Sequence, residues 1–250
     1  MEVTTTAMST LPPARQRIGI LAGSGPEAGI DLWAKVLGAT RRLLGERYGG
    51  DLDAPEVLIH SVPALGLSME LEPNDPVVWK VLREAAQALA PRVDAFAIAC
   101  NTLNHYEAPL RALGLPARFV SVQVEVRRLV SERGLERIAL LGSRPVMALG
   151  AWSAYRDLPQ VVEVEVPADP DALHQVIYDV KARGGQAPDI VSRFEAMLGE
   201  LSAPVALLAC TELPLVPVSV AAPELVDVTE LLAQELAEIG QRPRDPAAGD

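Results

Sequence analysis

Two phrases of this chain are near-copies of each other, and each contains one of its two cysteines. Phe96-Ala97-Ile98-Ala99-Cys100-Asn101-Thr102-Leu103 parallels Ala206-Leu207-Leu208-Ala209-Cys210-Thr211-Glu212-Leu213. Both run through an apolar stretch, an Ala and a Cys to two polar residues able to bond a ligand. The likeness continues on either side. Arg17-Ile18-Gly19-Ile20-Leu21-Ala22-Gly23-Ser24 resembles Arg137-Ile138-Ala139-Leu140-Leu141-Gly142-Ser143-Arg144, and the segment 116–122 resembles 223–228. Short apolar strands look alike in any parallel sheet, but here three segments recur in one order with matched cysteines. The period is too long for a solenoid. The chain therefore reads as an internal duplication whose halves each bring one thiol to a shared site.

Periodicity supplies the rest of the expected fold. Short apolar runs at Ile18–Ala22, Glu56–Ser61, Val93–Ala99, 137–141, 161–166, 204–209 and 225–228 alternate with helical patterns over 27–44, Asp75–Ala90 (capped by Asn74 or Asp75), from about 145, within 170–183 and 187–201, and over 229–239. A further helix is expected just beyond Thr102. Strands alternating with helices of this length predict an α/β protein: two similar domains with parallel sheets flanked by helices. Ligands of such sheets gather at the carboxyl ends of strands, where both cysteines fall. The last strand is expected to return to the first half. That gives a first domain of 15–117 plus 222–240, a second of 118–221, and mobile tails at 1–14 and 241–250.

The composition removes several function classes. A chain of 250 residues with 49% hydrophobic and 22% charged residues builds real cores. A net charge of −11 argues against nucleic-acid binding, which needs clustered Lys and Arg, and against docking on anionic membrane. No apolar run is long enough to span a bilayer, and the first residues lack the basic start and apolar run of a secretory signal. Two cysteines without an export signal point to a reducing, cytoplasmic setting with free thiols. The expected partner is a small molecule, an amino acid or related carboxylate.

Paired thiols suit one reaction type in particular. Inverting a stereocentre by proton transfer takes one group to remove a proton from carbon and another to deliver one to the opposite face. A thiol serves both roles because its pKa, near ~8.5, lies close to working pH and falls at a helix N-terminus, and both cysteines are expected between a strand end and a helix start. Backbone N–H groups of the Gly23-Ser24-Gly25 and Asn101-Thr102 loops are candidates to hold the negative charge that develops on carbon. Asn101, Thr102 and Thr211 are candidate ligands of a substrate carboxylate and amine, although Asn101 and Thr102 equally suit helix capping. Glu212 is placed to face an ammonium, to orient Cys210, or to cap the next helix. The glycine loop also fits a loose dinucleotide fingerprint. That reading needs an acidic residue ending the second strand, and the strand ends Leu58-Ile59-His60-Ser61 instead. His60, at that strand's carboxyl end, is a further candidate for the cleft.

Gly23-Ser24-Gly25-Pro26, Cys100-Asn101-Thr102 and Cys210-Thr211-Glu212, in this order, resemble the aspartate/glutamate racemase family, whose motifs read Gly-Gly-Met-Gly-Pro, Cys-Asn-Thr-Ala-His and Gly-Cys-Thr-Glu. The likeness spans residues 17 to about 240. It implies a two-domain α/β homodimer that inverts an amino acid with two facing cysteines, Cys100 and Cys210, and with neither pyridoxal phosphate nor a metal. It also implies that Lys181, one of only three lysines, helps to hold a substrate side chain. The family His would fall at Asn104, one position before His105. The arginine that aspartate-specific members place after the second strand is missing, since no Arg lies between Arg47 and Arg83. A less acidic amino acid is therefore an open alternative to aspartate or glutamate, as are the hydantoin racemase, maleate isomerase and malonate-type decarboxylase chemistries of the wider superfamily. A non-catalytic ligand-binding protein on the same scaffold is the alternative from another class.

Overall fold

The computed structural model describes residues 13–219, 221 and 223–244. Its strands are β1 (Ile18–Ala22), β2 (Val57–Ser61), β3 (Ala95–Ile98), β4 (Arg118–Val120), β5 (Arg137–Gly142), β6 (Glu163–Glu165), β7 (Val205–Ala209) and β8 (Glu224–Asp227). They form two four-stranded parallel sheets of the same order, β2-β1-β3-β4 and β6-β5-β7-β8. The expected duplication maps onto this topology: the repeated segments are β1 and β5, β3 and β7, and β4 and β8. Both inner strands of each sheet are buried almost throughout, as strands covered by helices on two faces must be.

The strand exchange expected from the sequence does not occur. β8 pairs with β7, Val205 opposite Glu224 and Leu207 opposite Val226, while β4 pairs with β3 in the first sheet. Each short strand follows its own cysteine strand and takes the open edge beside it. What crosses between the halves is a helix. The helices are α1 (Pro26–Leu44), α2 (Leu71–Leu89), α3 (Glu107–Ala112), α4 (Val122–Arg133), α5 (Arg144–Met147), α6 (Pro170–Arg183), α7 (Pro188–Gly199) and α8 (Val228–Gly240). The last of these, α8, packs on α1 and α4 and touches strands of both sheets. Its Leu232, Leu236 and Ile239 join Ile20, Leu32, Val36, Leu140 and Leu207 in a single apolar core shared by the two halves. The Asp227 carboxylate caps α8 by accepting from the Thr229 N–H at 2.8 Å, and Lys35 of α1 pairs with the same carboxylate at 2.6 Å.

Other boundaries shift for local reasons. α2 begins at Leu71, four residues before the expected start at Asp75, and Asn74 donates to the Glu70 carbonyl at 2.7 Å from inside its first turn. The helix expected beyond Thr102 opens as a 3-10 turn, Thr102–Tyr106, before α3. The expected tail residues 241–244 are held: the Gln16 N–H donates to the Arg242 carbonyl and the Arg244 N–H to the Ala14 carbonyl. Residues 1–12 and 245–250 of the expected tails lie outside the described residues. Among the described residues, no helix is long and apolar enough to cross a membrane.

Candidate active site

The carboxyl ends of the four inner strands meet in one buried polar cluster. Gly23, Ser24 and Gly25 follow β1, Cys100 and Asn101 follow β3, Ser143 follows β5, and Cys210, Thr211 and Glu212 follow β7. Both thiols are free, with relative exposures of 9% for Cys100 and 7% for Cys210. Ser24, Ser68, Asn101, Thr102, Ser143, Thr211 and Glu212 are buried as well. Polar groups are hidden at such density only when each finds a partner, and the partnerships run from half to half.

A chain of contacts links the two thiols. Cys100 Sγ donates to Ser24 Oγ at 3.3 Å, and Ser24 Oγ and Ser68 Oγ share a hydrogen bond of 2.8 Å. The Ser24 carbonyl accepts from Lys181 Nζ at 2.7 Å, with Lys181 arriving from the last turn of α6 in the second half. Lys181 also pairs with Glu212 Oε1, whose other oxygen accepts from Cys210 Sγ at 3.0 Å and from Thr211 Oγ1 at 3.1 Å. Two hydroxyl contacts add to this bridge: Thr102 Oγ1 lies 2.8 Å from Ser143 Oγ, and the Tyr155 hydroxyl donates to Asn101 Oδ1.

The glycines are required by this crowding. At Gly23, φ is +117°, and a Cβ would stand 2.1 Å from the Val62 carbonyl oxygen. At Gly25, φ is +132°, and a Cβ would stand 2.4 Å from Glu212 Oε1 and 3.1 Å from Lys181 Nζ. The first loop thus lies directly against the ion pair of the opposite half, an approach open only to a residue without a side chain.

Electrostatics separate the groups. Burial pushes the Cys210 thiol well above its usual pKa and the adjacent Glu212 charge adds to this, with Lys181 opposing them. The helix-dipole lowering expected from the sequence is not what governs this thiol. Only a 3-10 turn, Leu213–Leu215, follows it, and such a turn carries little dipole. For Lys181, burial disfavours the charge, but Glu212 and then both thiolates favour it, and the balance keeps the ammonium protonated. Burial likewise raises the Tyr155 phenol well above its ordinary value, and charge on Cys100 or Cys210 acts in the same direction. Lys181 and Tyr155 each lie within electrostatic reach of both sulfurs.

A second bridge lies at the rim. The stretch after β2, which carries no Arg, winds into a 3-10 helix, Pro63–Glu70, that brings Ser68 to Cys100 and ends at Glu70. His174 Nδ1 accepts the Arg144 backbone N–H at 3.0 Å, so its proton sits on Nε2, 3.1 Å from Glu70 Oε1. Tyr178 OH donates to the same oxygen at 3.2 Å, and Arg144 reaches the other at 3.1 Å. Burial works against the Glu70 charge, but the His174 bond and the Arg144 charge hold its carboxyl below the usual range.

Most of the sequence-derived candidates meet in this cluster: Gly23, Ser24, Gly25, Cys100, Asn101, Thr102, Lys181, Cys210, Thr211 and Glu212. His60 does not join them. It lines a separate groove with Leu58, Ala88 and Arg92, where edge strand β2 meets the end of α2. Asn104 and His105 have other work. Asn104 braces the cysteine loop, donating to the Cys100 carbonyl at 2.9 Å and accepting from the Val122 N–H at 3.2 Å. Neither Asn101 nor Glu212 caps a helix through its side chain. Ser68, Ser143 and Tyr155 were missed. Ser143 had a signal, being the counterpart of Gly23 just past the repeated opening strand, whereas Ser68 and Tyr155 sit in segments with none.

A duplicated α/β scaffold with one thiol per half, joined by a buried polar bridge, is the class that these observations define. Solved structures of the same fold include the aspartate racemase of Picrophilus torridus, with a TM-score of 0.76, 18% identity, and coverage of 93% of this chain and 97% of that one. An aspartate racemase homologue from Pyrococcus horikoshii OT3 superposes with a TM-score of 0.69 at 25% identity, covering 91% of this chain and 100% of the other. For a glutamate racemase from Thermus thermophilus in complex with β-chloro-D-alanine the TM-score is 0.57 at 23% identity, over 90% and 80% of the two chains. No family model matches the sequence, and no curated protein does so.

Two outcomes follow from the bridge. Lys181→Met leaves the Glu212 charge buried beside Cys210 and lowers stability by about 3 kcal/mol, while Lys181→Met with Glu212→Gln recovers most of that loss in a denaturant-unfolding cycle. Because the raised Cys210 pKa means that the unfolded chain releases this proton at lower pH than the folded one, stability falls as pH rises above about 8.5. Thermal melts from about pH 8 to 9.5 show this decline, and it is smaller in Cys210→Ala.

Proposed function

We propose that this protein is a cofactor-independent amino-acid racemase or epimerase in which Cys100 and Cys210 are the two acid/base residues. The observation that carries the reading is the polar bridge, in which thiols from matched positions of the two halves lie at opposite ends of one network. The fold shared with aspartate and glutamate racemases supports the same assignment.

In the proposed reaction a thiolate on one side takes the α-proton, breaking the C–H bond and leaving its electron pair on carbon. The thiol on the opposite side then gives its proton to the other face. Each turnover inverts the carbon and exchanges the protonation states of the two cysteines, so the reverse reaction starts from the state the forward one leaves. Backbone N–H groups of the 23–25 and 101–102 loops offset the charge developing on the carbanion and its carboxylate. Glu212 accepts the Cys210 S–H and is the group through which that thiol becomes a thiolate, while Lys181 pairs with the same carboxylate.

The same geometry favours a particular substrate class. A dicarboxylic side chain calls for a bidentate guanidinium, yet the segment that would supply one presents Ser68 instead. Lys181 is already shared between Glu212 and the Ser24 carbonyl, and Arg144 is held at the rim by Glu70 and Asp171. Ser24, Ser68, Thr102 and Ser143 contribute buried, uncharged hydroxyls to the cluster. The substrate proposed is an α-amino acid with a small, uncharged side chain.

A panel of acidic, neutral and basic amino acids, each incubated as a single enantiomer and resolved by chiral chromatography, tests the assignment. The expected result is formation of the mirror-image product from small neutral members, cut at least about a hundredfold by either Cys100→Ala or Cys210→Ala in proteins whose circular dichroism is unchanged. Normal turnover by either variant removes that cysteine from its role, and aspartate as best substrate overturns the substrate class.

A further inference from the structure

Away from the thiols, an open cavity of about 440 Å³ lies between the start of α2 and the loop after α5. It is lined by Asp75, Trp79, His105, Tyr106 and Trp152, and neither cysteine borders it. The rings form one continuous wall. Trp79 stacks on Tyr106 with centroids 5.3 Å apart, His105 meets the edge of Tyr106 at 4.9 Å, and Trp152 lies 5.2 Å from His105. The chain has only three tryptophans, so placing two of them half-exposed at one concavity is a concentration that packing alone does not require.

Two polar features point to what such a wall holds. Asp75 accepts a hydrogen bond of 2.7 Å from the Tyr106 hydroxyl, and no Lys or Arg among the described residues forms an ion pair with it. His105 Nδ1 is buried without a hydrogen-bond partner among the described residues. Burial, assisted by the charge of Arg156 and opposed by that of Asp75, lowers the His105 pKa, so the ring is neutral and does not repel a cation. Arg156 itself is exposed, with its guanidinium turned to the Ala151 carbonyl at 3.1 Å, where solvent screens it. Aromatic faces beside an unneutralised carboxylate attract soft, weakly hydrated cations, above all alkylated ammonium groups.

We propose that this cavity is a binding site for a small organic ammonium ion, held over the half-exposed Trp79 and Trp152 rings with Asp75 as its counter-charge. The site is separate from the thiol cluster, and its existence does not depend on the racemase reading. It does touch the elements that shape that cluster. Tyr106 closes the 3-10 turn that begins at Thr102, and Trp152 lies three residues before Tyr155, which donates to Asn101.

Choline and its uncharged isostere 3,3-dimethyl-1-butanol, titrated separately into the full chain, provide the test by calorimetry and by tryptophan fluorescence. Choline is expected to bind saturably with a millimolar dissociation constant, at least about tenfold tighter than the isostere. Asp75→Asn weakens choline about tenfold and leaves the isostere unchanged, and Trp152→Ala, at a half-buried loop position, weakens both. Tyr106→Phe, which keeps the ring and frees Asp75, binds choline at least as well as the wild type. Equal affinities for the two compounds, choline binding untouched by Asp75→Asn, or no saturable response up to about 100 mM would each overturn the proposal.

Discussion

The buried contact between Lys181 and Glu212 governs the centre of this protein. A carboxylate this enclosed needs a counter-charge, because an unpaired ion in such surroundings costs several kcal/mol. The counter-charge comes from an element of the second half but also binds the Ser24 carbonyl of the first. A single ammonium thus neutralises Glu212, fixes the first glycine loop and ties the lobes together. Gly25 has no side chain because that loop lies against the pair, and Cys210 has its high pKa partly because Glu212 sits beside it.

From this contact the remaining geometry follows outward. Thr102 with Ser143, Asn101 with Tyr155, and Glu70 with Arg144, His174 and Tyr178 all join one half to the other across the same cleft. Each is a hydrogen bond that water or a substrate can replace, whereas the apolar core gathered by α8 is continuous beneath them. The thiols are almost fully covered in this arrangement. Access to them requires the polar contacts to part while the α8 core holds.

Much of this was legible in the chain itself. The repeated phrases at Cys100 and Cys210 pointed to two like sheets, and the β1/β5, β3/β7 and β4/β8 correspondences follow from them. The glycine loop and the Cys-Asn-Thr and Cys-Thr-Glu motifs named most of the cluster. What stayed hidden depended on tertiary contact. The sequence of β8 does not reveal which edge it will occupy, and it joins β7 rather than the first sheet. Ser68 and Tyr155 arrive from segments without an apolar period, and His60 faces a separate groove between β2 and α2, a contact that depends on tertiary packing. The pKa of Cys210 could not be read either, since burial and a neighbouring carboxylate outweigh a helix end that proves to be a single 3-10 turn.

The central claim is that one carbon is addressed from two sides by sulfurs of separate lobes, and the direct measurement is isotopic. Each enantiomer of a turned-over amino acid is incubated in deuterium oxide, and the α-position is followed by mass spectrometry in product and residual substrate at low conversion. Two opposed thiols predict deuterium in the product from the first turnovers and little in the unconverted substrate, from either starting hand. Equal early labelling of substrate and product, as when a single group removes and returns the proton, would contradict the account.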